Sequence, residues 1–404
     1  MSVVFDLVLG IVTSIGGFVE AGSISTAAQA GSEFGFQLLW AVAAATVMLA
    51  MLVEMAGRVA IVSHRSVAAA VRERFGISFQ SVPLVAELAI DILLLASEIG
   101  GTAIALKLLS GIGFAWWLLP VGIVVWLVLW LFGFGPIEYG IGLLGLVTLS
   151  FVMSAWQLGP RLADLGRSLL PSLPGHHYGR YGFLVVSILG ATVSPYLLNF
   201  YSSGSIEEKV TETQLWVNRS TAYAGICFGG VVSMGVLVTS ALVLGPRHII
   251  VDSYEQAALM FVPVFHRWAV PLFAMALGIG CFGAAVEISL NAGYLCAQVF
   301  GWPWGANRPR REASRFVAAF TLVLSAALLI ALLGFDPLRM TLLSVAMTVV
   351  VMPAIVLPFL VLMNDPKYVK VHTSGVAGNV FLAGLTILAA VMALVVVPLE
   401  LIGG

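Results

Sequence analysis

The sequence predicts an all-α integral membrane protein, and three observations carry that prediction. Of 404 residues, 60% are hydrophobic and only 10% are charged, against about 25% charged in a typical soluble domain. Long apolar runs alternate with short polar connectors, which excludes a β-barrel, whose strands would alternate every second residue. Two of the runs are interrupted by glycine, proline and small polar residues, five runs apart. A net charge of −1 offers no electrostatic case for nucleic acid or acidic substrates. Cys227, Cys281 and Cys296 are widely spaced in apolar stretches and make neither a disulfide framework nor a zinc site.

A span needs about 20 mainly apolar residues, because the hydrocarbon core is roughly 30 Å thick and a helix rises 1.5 Å per residue. That ruler gives eleven spans, near 3–31, 36–58, 82–107, 114–133, 137–158, 181–205, 219–245, 266–299, 313–333, 338–363 and 377–400. The first lacks preceding basic residues and outruns a signal peptide, so it reads as a retained helix. The second carries Glu54 and Arg58 at i,i+4, the spacing of a structural pair. The third carries Glu87, Asp91 and Glu98, which helical geometry places within roughly 40° of one another. Trp116–Trp117 opens the fourth and Trp302–Trp304 follows the eighth, at the depth where amphipathic rings settle. The eighth also holds Glu287 and Asn291 at i,i+4, a mutual pair or part of a site. Before the ninth, Arg308, Arg310 and Arg311 read as a positive-inside loop. No connector is long enough for a soluble domain, so residues 1–404 form one membrane domain, with no obligate protein partner evident.

Lys and Arg in the connectors orient the chain. With the N-terminus inside, twelve fall on the cytoplasmic side and seven on the other, which favours a cytoplasmic N-terminus and a C-terminus opposite. A bacterial inner membrane is the expected location.

The first break is Gly16-Gly17-Phe18-Val19-Glu20-Ala21-Gly22-Ser23, and the second is Gly190-Ala191-Thr192-Val193-Ser194-Pro195-Tyr196. Proline removes a backbone donor and clashes with the preceding turn. Non-helical backbone at mid-membrane depth survives only where protein buries it or water lines it. Five spans is an odd number, so the second half would sit inverted relative to the first. Interrupted segments at matching places in two halves point to a transporter's midplane site. The plain alternative is a pair of ordinary kinks.

At these breaks the sequence resembles the NRAMP family of divalent-metal transporters, and more closely its divergent NRAMP-related branch. The resemblance runs through Gly31-Ser32-Glu33-Phe34-Gly35-Phe36-Gln37-Leu38-Leu39-Trp40, Glu98-Ile99-Gly100-Gly101-Thr102-Ala103-Ile104-Ala105-Leu106, Gly190-Ala191-Thr192-Val193, and Leu357-Pro358-Phe359-Leu360 with Asn364-Asp365. It implies the LeuT-type fold: two inverted five-helix repeats, about 3–158 and 181–363, plus an eleventh helix at about 377–400. It also implies a metal site. Where the family's first-helix motif is Asp-Pro-Gly-Asn, this chain has Glu20, Ala21, Gly22 and Ser23. Where the sixth-helix motif ends Met-Pro-His, it has Ser194, Pro195 and Tyr196. Carried over residue by residue, the ligands are Glu20, Ser23, the Ala191 carbonyl and Ser194. Tyr196 replaces the proton-handling histidine, and Leu95 stands where a third-helix aspartate would, although Glu98 remains.

Thioether sulfur favours softer transition metals, whereas Mg²⁺ wants oxygen. With Ser194 in its place the expected site is all oxygen with one carboxylate, suited to Mg²⁺ or Mn²⁺ moved by alternating access. Loss of histidine and aspartate predicts weak or absent proton coupling. Tyr196, Glu98, Asp91, Glu87, Glu287 and Asn291 are pathway or coupling candidates, since ionisable residues inside a span are expensive. The partners implied are the divalent cation and the lipid bilayer, and no cofactor is called for. Two rivals stay open: a carrier of a small organic solute, with Glu20 binding an amine, and a non-transporting membrane sensor. An enzyme is not expected, because no nucleophile–base pair or cofactor fingerprint appears in a span.

Overall fold

A computed structural model describes residues 20–175 and 177–402, the side chains of 401 and 402 excepted. The first span up to Val19, with Gly16, Gly17 and Phe18 of its break, therefore lies outside the described residues. Long helices make up most of the first half: α1 Ala21–Phe34, α2 Leu39–Ser63, α3 Val67–Phe75, α4 Ile77–Ser110, α5 Ala115–Leu131, α6 Phe134–Gly145 and α7 Leu149–Leu158. After a connector come α8 Tyr178–Thr192, α9 Pro195–Glu207, α10 Leu215–Val243, α11 Ala269–Phe300, α12 Ser314–Leu332, α13 Pro337–Leu362 and α14 Val376–Ile402.

Among the described residues, eight helical stretches are long and apolar enough to cross a bilayer. The first, third and fourth expected spans fall outside that set: α1 is described over 14 residues, the 34-residue α4 carries the acidic stripe, and α5 has 17 residues. Each remaining expected span falls on one of these helical stretches, the fifth on α6 with α7 and the sixth on α8 with α9. The connector between α7 and α8 folds a short helix, Leu162–Ser168, and the one before α11 another, Tyr254–Ala258.

Local chemistry explains the boundaries. Pro195 sits at the first turn of α9, where a missing N–H costs nothing. Asp336 caps α13 by accepting from the Arg339 N–H at 2.9 Å. Gly111 ends α4 with φ 75°, a left-handed turn that closes onto the Lys107 carbonyl. Arg310 departs from the expected loop role. Its guanidinium donates to the carbonyls of Leu129 (3.0 Å) and Phe132 (2.8 Å), so it satisfies the last turn of α5 rather than only marking a membrane side.

The core sits where α1, α4, α8, α9, α11 and α13 meet. α4 packs along α11 and α13, and α1 is held between α8 and α10. α1 is buried from Ala21 through Ser32, although it is rich in small and polar residues. The outer helices show the reverse pattern: Trp116, Leu119, Ile123, Leu131, Val380, Leu388 and Leu394 are exposed. Apolar outside and polar within is the arrangement a bilayer solvent selects.

Candidate metal centre at the two helix breaks

The second break is two residues wide. α8 ends at Thr192, Val193 (φ −100°, ψ 64°) leaves the helical region, and extended Ser194 caps α9. Its cause is Pro195. A helix would answer the Ala191 carbonyl with the N–H four residues on, and proline has none. One residue earlier, the Gly190 carbonyl accepts instead from the Ser194 hydroxyl at 3.1 Å. Gly190 is required for packing as well, because a Cβ there would lie 1.8 Å from the Val345 carbonyl oxygen of α13.

The first break ends at Glu20, which is extended (φ −114°, ψ −179°) and caps α1. Its N–H donates to the Ser23 hydroxyl at 3.0 Å, and that hydroxyl donates to the Glu20 carbonyl at 3.0 Å. Ser23 is thus tied to the backbone of the break, beside its expected ligand role. Gly22 lets the two breaks touch: a Cβ there would meet Ala191 Cβ at 3.3 Å and Glu20 Oε1 at 3.3 Å.

Around this junction the acids of other helices converge. Tyr196 donates its hydroxyl to Glu20 Oε2 at 3.0 Å, so the residue at the histidine position orients the carboxylate. Glu98 Oε2 accepts from the Ala21 N–H at 3.3 Å, placing an anion at the positive end of α1. Glu287 lies within electrostatic range of Glu20, and the Cys281 thiol lies against Glu98. Glu20 is 1% and Glu98 0% exposed, and in each the second oxygen, Oε1, has no hydrogen-bond partner. The expected single carboxylate is therefore accompanied by Glu98 and Glu287. No group of three or more His, Cys, Asp or Glu with metal-binding geometry stands among the described residues.

Glu87 and Asp91 belong to a second cluster. Asn199 of α9 donates to Glu87 at 2.8 and 3.1 Å. Asn291 of α11 donates to Glu87 at 3.3 Å and to Asp91 at 3.2 Å, rather than pairing with Glu287. Asn199 is not among the residues the sequence singles out, and Cys281 enters there only as a cysteine outside any disulfide or zinc pattern. Asn199, three residues after Tyr196 on the face that turns inward, was open to detection by helical spacing. Glu54 does pair with Arg58, whose guanidinium also donates to the His372 carbonyl at 2.8 Å.

Comparison with known proteins agrees with this architecture. A family model described as natural resistance-associated macrophage protein-like (Nramp) matches residues 10–398. A variant of a manganese transporter from Eremococcus coleocola superposes with a TM-score of 0.77 at 18% identity, covering 96% of this chain and 85% of that one. MhsT in complex with L-phenylalanine gives a TM-score of 0.62 at 13% identity, covering 96% and 97%. A Na⁺-coupled sialic acid symporter gives 0.64 at 10%, covering 95% and 89%. These likenesses show the LeuT-type fold of inverted five-helix repeats with an eleventh helix. With the family model spanning nearly all of its length, the chain belongs to the natural resistance-associated macrophage protein-like (Nramp) family.

Proposed function

We propose that this protein carries a hard divalent cation, Mn²⁺ or Mg²⁺, across a bilayer by alternating access. The observation that carries the reading is the pair of buried, unpartnered carboxylate oxygens at the break, Glu20 Oε1 and Glu98 Oε1. A buried charge without a partner is destabilising by several kcal/mol, a cost a protein sustains where a cation answers it. Glu20 is the charged ligand, joined by the Ala191 carbonyl that Pro195 leaves without a donor and by the Ser194 hydroxyl, which retains accepting lone pairs. Ser23 adds a hydroxyl oxygen at the rim. Glu98 and Glu287 supply the negative field that a lone carboxylate would lack.

An oxygen-only set places no soft ligand in favour of later transition metals. The E. coleocola relative is described as a manganese transporter, which agrees with the charge and hardness of this site. A cavity of about 520 Å³ lies among α4, α5, α6 and α11, lined by residues such as Leu106, Trp117, Val121 and Phe282 and by none of the break residues. Proton coupling is weak or absent, since Tyr196 and Leu95 stand where a histidine and an aspartate would titrate. The N-terminus faces the cytoplasm, on the Lys and Arg distribution of the connectors.

Flux of Mn²⁺, Mg²⁺ and Ca²⁺ into liposomes, with lumenal pH followed in parallel, tests this. Mn²⁺ or Mg²⁺ uptake without acidification is expected. Absence of divalent flux from folded protein would contradict the cargo, and strong acidification would contradict the coupling.

A further inference from the structure

We propose that Glu87, Asp91, Asn199 and Asn291 form a second divalent-cation site, separate from the break and met in sequence with it by the same ion. The inference rests on the metal-carrier reading but concerns residues that reading does not use. Both acids are buried, Glu87 at 2% and Asp91 at 1% exposure. Among the described residues neither forms an ion pair with Lys, Arg or His. Two adjacent carboxylates present two negative charges, which one divalent cation neutralises.

The amides supply the independent sign of a ligand. Asn291 is 0% exposed, and its carboxamide nitrogen reaches both Glu87 and Asp91. Its Oδ1, the other end of the same planar group, is buried without a hydrogen-bond partner. A buried carbonyl oxygen left unanswered costs about 1–3 kcal/mol. Asn199 approaches Glu87 in the same way. Carboxamide nitrogen and oxygen occupy nearly interchangeable positions. Without an ion the NH₂ groups answer the acids, as seen here. Turned by 180°, the same amides present two oxygens, completing with the carboxylates an all-oxygen set of the kind Mn²⁺ and Mg²⁺ accept alongside water.

Placement separates this cluster from the break. Asp91 and Glu87 precede Glu98 by seven and eleven residues on α4, a rise of roughly 10 and 16 Å. Their displacement is toward the start of α4, the end that the Lys/Arg-rich connector assigns to the cytoplasm. Polar groups continue that way: Gln298 of α11 donates to Ser203 of α9 at 2.8 Å, and its own Oε1 is unpartnered. The ion leaving Glu20 thus meets a second oxygen cluster on its path, and weaker multi-site binding is what permits release.

Calorimetric titration of purified protein with Mn²⁺ tests this. Wild type should bind two ions, Glu20→Gln one, and Glu87→Gln/Asp91→Asn one. Asn291→Asp, which adds a carboxylate in place, should tighten the site remaining in Glu20→Gln by at least about tenfold. It provides the readout if the double variant fails to fold. A wild-type stoichiometry of one, abolished by Glu20→Gln and kept by the double variant, overturns the second site and leaves the carrier reading intact. Unchanged affinity in Asn291→Asp overturns it too. No Mn²⁺ bound to wild type overturns both.

Discussion

The acids of this protein fall into two populations that the fold treats oppositely. One population is met by bases of the protein itself: Glu33 and Glu400 by Arg180, Glu54 by Arg58, Glu73 by Arg65 and Lys367, and Glu255 by Lys107. In the interior Glu20, Glu87, Asp91, Glu98 and Glu287 are buried, and among the described residues none has such a partner. Their neighbours are a phenol, two amides, a thiol and a backbone N–H. The contrast teaches that the paired acids belong to the fold, while the inner ones are, on the function proposed above, the groups a cation would answer.

That contrast makes opposite demands on substitutions. Glu20 apart, the largest effect is expected at Glu98→Gln, which removes a charge but keeps the shape and the acceptor for Ala21. Divalent uptake should fall about a hundredfold while thermal stability holds or rises, because a buried unpaired charge is costly. A destabilised protein with normal uptake would place Glu98 with the structural acids. Next comes Arg180→Ala, the counterpart among the paired acids. It strands Glu33 and Glu400, both partly buried, and should cost about 1–3 kcal/mol of stability. Mn²⁺ affinity measured on the same sample should not change.

A smaller effect is expected at Tyr196→Phe. Loss of one hydrogen bond to a carboxylate is worth about 1.5 kcal/mol, roughly a tenfold weakening of uptake at low metal concentration. Equal uptake by the variant would mean that Tyr196 packs rather than orients. The smallest effect concerns Glu73. The Lys367 ammonium, 2.7 Å away, and then Arg65 hold its carboxyl below the usual carboxylate range. A depressed value contributes stability above the ordinary carboxylate pKa and loses it as pH falls through the depressed one. Thermal melts should show a slight acid-side loss in wild type that Lys367→Ala diminishes.

How much of this was legible in the sequence depended on distance along the chain. Spans follow from length and hydropathy, and the Pro195 break from a missing donor, so both are local properties. Glu54 with Arg58 was readable because a helix brings i,i+4 together. The common face of Glu87, Asp91 and Glu98 followed from one helical repeat. What answers those acids did not, because Asn199 and Asn291 come from helices 112 and 204 residues away from Glu87. Arg310 illustrates the same limit: composition marks it as a loop cation, whereas its carbonyl partners lie 181 and 178 residues back. One carboxylate was expected among the ligands, with Glu98 and Glu287 as pathway candidates, and the approach of Glu98 to the Ala21 N–H comes from 77 residues away.

The central claim is that the inner acids serve the ion and not the fold, and Glu20→Gln tests it most directly. The variant should be reconstituted beside wild type, with Mn²⁺ uptake and thermal unfolding measured on the same preparation. The account predicts that uptake is abolished while the midpoint of unfolding stays equal or rises. Uptake that survives the substitution, or a midpoint that collapses with it, would contradict that account.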